Sequence, residues 1–322
     1  MSALYPFLLI PIFDERPWGV RDLRPVYTKV VKEPIGESWL TWNDNRIANG
    51  PFAGRTLGNI ATEFKRDLVG TVAVCEDRFP LLVKFLFPSQ KLSVQVHPDD
   101  AAAQRVGEPC GKTECWYVLD AQPGAQVALG LKPGTTVADF EASIRENRAE
   151  DLLNWIDVFA GDMLFVAAGT VHTIGGGMVL VETQQTSDIT YRLYDYGRGR
   201  ELHIKEGLAA VKLNTRAGKV THPPGDDPDV LVRSPFFQVE KRKLTALLDT
   251  RMTPESPHIL VAVDGAGIVE SPGMEPISFA KGEAVVVPAS VTSYSVRPQW
   301  DLELMRMSVP PGNVAEPLTK LG

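Results

Sequence analysis

The segment VFAGDMLFVAAGTVHTI, residues 158–174, returns later in the chain as SFAKGEAVVVPASVTSY, residues 278–294. Both copies carry Phe-Ala, a Gly followed by an acidic residue, a β-rich apolar run, and a turn ahead of a Val. Self-similarity of this kind marks a duplicated structural unit, and the β-branched run inside each copy makes that unit a sheet. Two similar β-sheet units are therefore expected. In this register His172 of the first copy meets Thr292 of the second, so the second copy lacks the residue best suited to holding a metal. One copy is expected to work while the other packs.

Outward from the repeat, most segments read as strands bounded by Pro, Gly, Asn and Asp, as in VAVCEDRFPLLVKFLF (72–87) and MVLVETQQTSDITYRLY (178–194). Helical spacing is confined to residues 56–68, 135–153 and 203–213, the first two each behind a threonine. Strands in a meander with helices placed between them point to a mainly β fold, a β-sandwich or jelly roll with helical insertions. THPPGDDPD, residues 221–229, breaks every period and reads as a linker. The expected organisation is a working β domain over 1–220, a linker over 221–234, and a second β domain without a metal site over 235–322.

The chain has 322 residues and a net charge of -7, with 44% hydrophobic and 23% charged residues. That balance describes a globular protein and excludes broad electrostatic binding to nucleic acid or an anionic membrane, while allowing a local cationic pocket for an anionic metabolite. The N-terminal apolar run is interrupted by Pro6, Pro11 and Asp14 and lacks a basic leader. Cys75, Cys110 and Cys115 form no CxxC pair, which suits a reducing compartment. A cytoplasmic protein is expected.

In KLSVQVHPDD, residues 91–100, strand alternation puts Leu92, Val94 and Val96 on one face and Ser93, Gln95 and His97 on the other. Such a polar face either meets water or lines a pocket. Of the five histidines, His203 opens a helix, His222 lies in the linker and His258 follows Pro257 at a strand end; all three read as structural. His97 and His172 differ, because Gln95, Glu114 and the two imidazoles would converge if their strands were neighbours. They would then offer two nitrogens, a carboxylate and an amide oxygen to zinc or another borderline divalent ion. The spacing alone also fits unrelated polar residues.

Four pieces occur together and in order: VQVHPDD, GKTECWYVL, AAGTVHTI and SDITYRLYDYGR. In this they resemble the mannose-6-phosphate isomerases, specifically the short bacterial branch of the zinc-dependent cupin type. The resemblance runs from Pro17-Trp18-Gly19 through Gly36-Glu37-Ser38-Trp39 to about Leu213, and more faintly to the end. It implies a cupin-type double-stranded β-helix with one zinc per chain, held by Gln95, His97, Glu114 and His172. It further implies Arg192 as catalytic arginine, Glu182 as an acid near the reacting carbons, and Ser93, Lys112 and Arg198 as contacts to a hexose phosphate. Glu182 reads equally as a strand salt bridge; Tyr191 and Tyr194 flank Arg192 and read as core packing ahead of a sugar-pocket lining. The expected activity is a metal-dependent aldose-ketose isomerisation between mannose 6-phosphate and fructose 6-phosphate by a monomer or weak homodimer. The alternatives are a cupin that binds a sugar phosphate without turning it over, and an isomerase of another phosphosugar. After Trp39 the chain departs from many relatives with Leu40-Thr41-Trp42-Asn43.

Overall fold

A computed structural model describes residues 4–222, 227–312 and 320–321. Two β-sandwiches account for nearly all of them. In the first, a five-stranded sheet faces an eight-stranded one. Leu86, Trp116, Val118, Leu164, Val166 and Leu180 of the larger sheet pack between them against Val127, Leu129 and Ile174 of the smaller. In the second, a six-stranded sheet faces a four-stranded one over Leu260, Val285, Val287, Tyr294, Val296 and Leu304. The back of the eight-stranded sheet also meets the back of the six-stranded sheet. Val83, Phe85, Cys115, Phe165 and Val181 share one apolar cluster with Val239, Ile259, Val261, Val286 and Met307. The strand Phe7–Leu9 lies beside Ala284–Val287 in the second sandwich, so this early strand packs with the C-terminal half. Among the described residues no helix is long and apolar enough to cross a membrane.

Two of the helices start at threonine caps. Thr56 accepts the Asn59 amide ahead of Leu57–Phe64, and that helix breaks at Lys65, whose φ is 46°. Thr136 and Asp139 complete a capping box before Val137–Arg145, and a short 3-10 turn then leads into strand Leu153–Asp157. The third helix is Ile204–Ala210. The expected linker divides: residues 217–222 form a strand of the eight-stranded sheet, 223–226 lie outside the described residues, and Val230–Arg233 is a strand of the second sandwich.

The duplication extends to single rows of residues. Across the larger sheet of the first sandwich run Lys84, Glu182, Trp116 and Leu164; across that of the second run Glu240, Arg306, Leu260 and Val285. The buried ion pair Lys84–Glu182 thus recurs with its charges exchanged as Glu240–Arg306. Glu114 opposes Val166, and His258 opposes Val287. His172 opposes Gln95 in the small sheet, and Tyr294 opposes Thr250. The counterpart of His172 is therefore Tyr294, not Thr292, because the second copy is one residue longer in the turn before the apolar strand and one longer in the turn after it. Tyr294 Oη lies 2.9 Å from His258 Nδ1 and fills the space that a metal would need.

Candidate functional site

The strand reading of KLSVQVHPDD contracts to Val94–Val96, with Val94 and Val96 buried and Gln95 half-buried between them. Val94 and Val96 pack beneath the helices with Phe140, Ile144 and Leu193. Ser93, Gln95 and His97 point into the sandwich. Asp99 then caps Asp100–Arg105 by accepting the Ala102 amide at 2.8 Å. The chain returns at Gly111, where a Cβ would come within 2.5 Å of the Pro98 carbonyl oxygen; this close approach needs glycine and seats Lys112 beside His97.

His97, Glu114 and His172 meet in the interior, each about 1% exposed. Their ligand atoms lie within 4.8 Å of one another. His97 Nδ1 is 2.8 Å from the Ile189 carbonyl and His172 Nδ1 is 2.9 Å from the Thr170 carbonyl. A carbonyl only accepts, so each Nδ1 carries the proton and each Nε2 keeps its lone pair. Both lone pairs face Glu114, with His172 Nε2 3.3 Å from Oε1 and His97 Nε2 3.6 Å from Oε2. Burial, with the nearby Lys112 ammonium, holds the His97 pKa well below its ordinary value; burial lowers that of His172 to about 4. Both imidazoles are therefore neutral ligands at pH 7.

The donor set fits a divalent cation. Neither buried Glu114 oxygen receives a hydrogen bond of good geometry. The cation that the donors do hold is the Lys112 ammonium, 2.7 Å from Glu114 Oε2 and 3.1 Å from His97 Nε2. Gln95 donates its amide N–H to His172 Nε2 at 3.2 Å, while its Oε1 accepts the Ser93 hydroxyl at 3.1 Å. Rotation of that amide by half a turn would present the oxygen instead.

Gln95 and Lys112 bring this cluster to the edge of a cleft of about 510 Å³, lined by Ser93, Gln95, Lys112, Glu182 and Arg192. Glu182 is held by Trp116 Nε1 at 3.2 Å and Lys84 Nζ at 3.1 Å. Arg192 projects from the strand beside Gln95, and its Nη1 donates to the Glu201 carbonyl at 2.9 Å. Its Nε is buried without a hydrogen bond, and among the described residues it has no ion-pair partner. Burial, followed by the neighbouring Arg200, lowers its pKa.

Arg198 is a correction. Its guanidinium turns away to the Asp195 and Lys91 carbonyls and lies over the Tyr196 ring, outside the cleft lining. Arg200, two residues on, lines the cleft in its place. Sequence reasoning also passed over Arg16, Lys84 and Asp188, which line the same cleft, and it used Glu37 only as a marker. The signal for Lys84 was present: a lone lysine inside LLVKFL, a strand buried along its whole length, needs a buried partner.

Comparison with known proteins places this geometry in a family. The profile described as "Phosphomannose isomerase type I, catalytic domain" matches residues 14–140, a span that holds Gln95, His97, Lys112 and Glu114. The chain is 34% identical over 308 residues to mannose-6-phosphate isomerase ManA of Bacillus subtilis, covering 90% of this chain and 95% of that one. It is likewise 34% identical over 315 residues to mannose-6-phosphate isomerase of Streptococcus mutans, covering 93% and 97%. The crystal structure of the Bacillus subtilis mannose 6-phosphate isomerase superposes with a TM-score of 0.81 at 29% identity, over 94% of this chain and 99% of that one. The chain belongs to the type I phosphomannose isomerase family.

Proposed function

We propose that this protein interconverts mannose 6-phosphate and fructose 6-phosphate, with zinc, one ion per chain, as its resident metal. The observation that carries the reading is the buried Glu114 carboxylate facing two Nε2 lone pairs, joined through Lys112 and Gln95 to a cleft that holds Glu182 and Arg192. The family is metal-dependent, and two imidazoles with a carboxylate and an amide suit a borderline ion. His97, His172, Glu114 and the Gln95 amide oxygen would hold it. When bound, it supplies Lewis-acid stabilisation of the negative charge that develops on the sugar oxygens.

The chain's own residues supply the remainder. Glu182 takes the proton from C2 of the open-chain aldose as the C1–C2 double bond of the enediol forms, then returns it to C1 as the C2 carbonyl appears; the O2 proton ends on O1. The Arg192 guanidinium, without a carboxylate partner, adds positive charge beside the developing oxyanion. Ser93, Lys112 and Arg200, the last in the place expected of Arg198, would bind the substrate's oxygens and phosphate, and that remote binding orients the reacting carbons.

A coupled assay over a panel of hexose phosphates tests the reading. Fructose 6-phosphate should appear from mannose 6-phosphate, and Arg192→Ala should lower kcat by about 10²-fold or more with the metal retained. A kcat unchanged in that variant would remove Arg192 from the mechanism, and a sugar phosphate bound without turnover would favour the non-catalytic cupin.

A further inference from the structure

Behind Glu182 lies a second buried carboxylate that the reaction above does not use. Glu37 is 8% exposed on strand Val30–Trp39. It is met by three donors: Trp39 Nε1 at 2.6 Å, Arg16 Nε at 3.3 Å and Lys84 Nζ at 3.5 Å. Lys84 is thus shared, 3.1 Å from Glu182 on one side and 3.5 Å from Glu37 on the other. The surroundings are built around this carboxylate. A Cβ at Gly36 would come within 2.5 Å of Arg16 Cβ, so glycine is what lets Arg16 lie across the strand. Trp42 packs edge-on against Trp39 at 5.2 Å and braces the indole that donates to Glu37.

Ion pairs chain Arg16, Lys84 and Lys112 to three carboxylates, Glu37, Glu182 and Glu114, and Asp188 of the same cleft also acts on Lys84. Were Glu37 neutral, Glu182 would be the one carboxylate left in an ion pair with Lys84, with Asp188 acting on it from further off. The ammonium would draw that carboxylate toward itself and weaken it as a base. We propose that Glu37 is a positioning residue: it takes up half of the Lys84 ammonium and so leaves Glu182 free to accept and return a proton. This rests on the function proposed above and names a further member of the same site.

Charge and shape make opposite predictions for two substitutions. Glu37→Gln keeps the shape and can still accept from Trp39, but loses the charge; Glu37→Asp keeps the charge on a shorter arm. With mannose 6-phosphate and metal-loaded enzyme, Glu37→Gln is expected to lower kcat about tenfold or more with KM within about twofold, and Glu37→Asp to recover most of the loss. Should Glu37→Gln fail to fold, Trp39→Phe, which removes the donor but keeps the charge, is expected to lower kcat by less than tenfold at unchanged metal content. A wild-type kcat in Glu37→Gln, or an Asp variant no faster than the Gln variant, would overturn the inference, since a purely structural carboxylate is better replaced by its isostere. Absence of turnover in the wild-type enzyme would instead strike the proposed function.

Discussion

The decisive residues are those whose side chains are buried against their own chemistry. His97, Glu114 and His172 were legible through the four motifs that occur in order, not through their spacing, which alone also fits unrelated polar residues. Arg200 was not: whether the first or second arginine of GRGR enters the cleft is decided by Asp195, which holds Arg200 at Nε and Arg198 through its carbonyl and carboxylate. Lys84 was missed because an apolar run was read only as a strand. Its ion pairs with Glu182 and Glu37 put one ammonium between two carboxylates in the interior. Those carboxylates hold the Lys84 pKa above its ordinary value despite burial, which acts in the opposite direction. Lys84→Met keeps the bulk and strands both carboxylates, so a loss of about 3–5 kcal/mol in a urea titration is expected. A loss below about 1 kcal/mol would mean that solvent already screens the pair.

At the scale of elements, the repeat in the sequence correctly announced two sheets of one design but not their exact register. The error arose in turns, where an added residue costs little and leaves no periodic trace. Strand alternation in the structure corrects it, since Tyr294 and His172, not Thr292, share the inward face. The strand Phe7–Leu9 was equally hidden, because its partner Ala284–Val287 lies at the far end of the chain and a short apolar run does not name its neighbour. Phe7 is fully buried in the cluster that joins the two sandwiches. Phe7→Ala should therefore destabilise the whole protein by about 3–5 kcal/mol in a single unfolding transition. Two separate transitions, with only the later one shifted, would show that the sandwiches unfold independently.

At the scale of the molecule, the two sandwiches differ in what fills one equivalent place. The first sets two imidazole Nε2 atoms against the Glu114 carboxylate; the second closes the place with Tyr294, His258 and the Glu240–Arg306 pair. The closed cluster has an acid-sensitive member. Burial, and then the nearby Arg306, lower the His258 pKa to about 3, against an unfolded value near 6.5. Below 6.5 the unfolded chain binds the proton first, so the stability that neutral His258 contributes is complete above that pH. It is lost as pH falls toward 3, by up to about 1.4 kcal/mol per pH unit. His258→Gln should flatten the fall in Tm between pH 6.5 and 4; an unchanged slope would assign the acid sensitivity elsewhere.

The most direct measurement combines metal content and turnover on one sample. Purified protein is stripped with a chelator, checked for an intact fold, and titrated with zinc while fructose 6-phosphate production from mannose 6-phosphate is followed. Turnover should vanish on stripping and return to its plateau at about one ion per chain, whereas His172→Ala should stay folded yet neither bind the ion nor recover activity. Full turnover in the stripped, metal-free protein, or none at stoichiometric metal, would contradict a metal-dependent isomerase built on His97, Glu114 and His172.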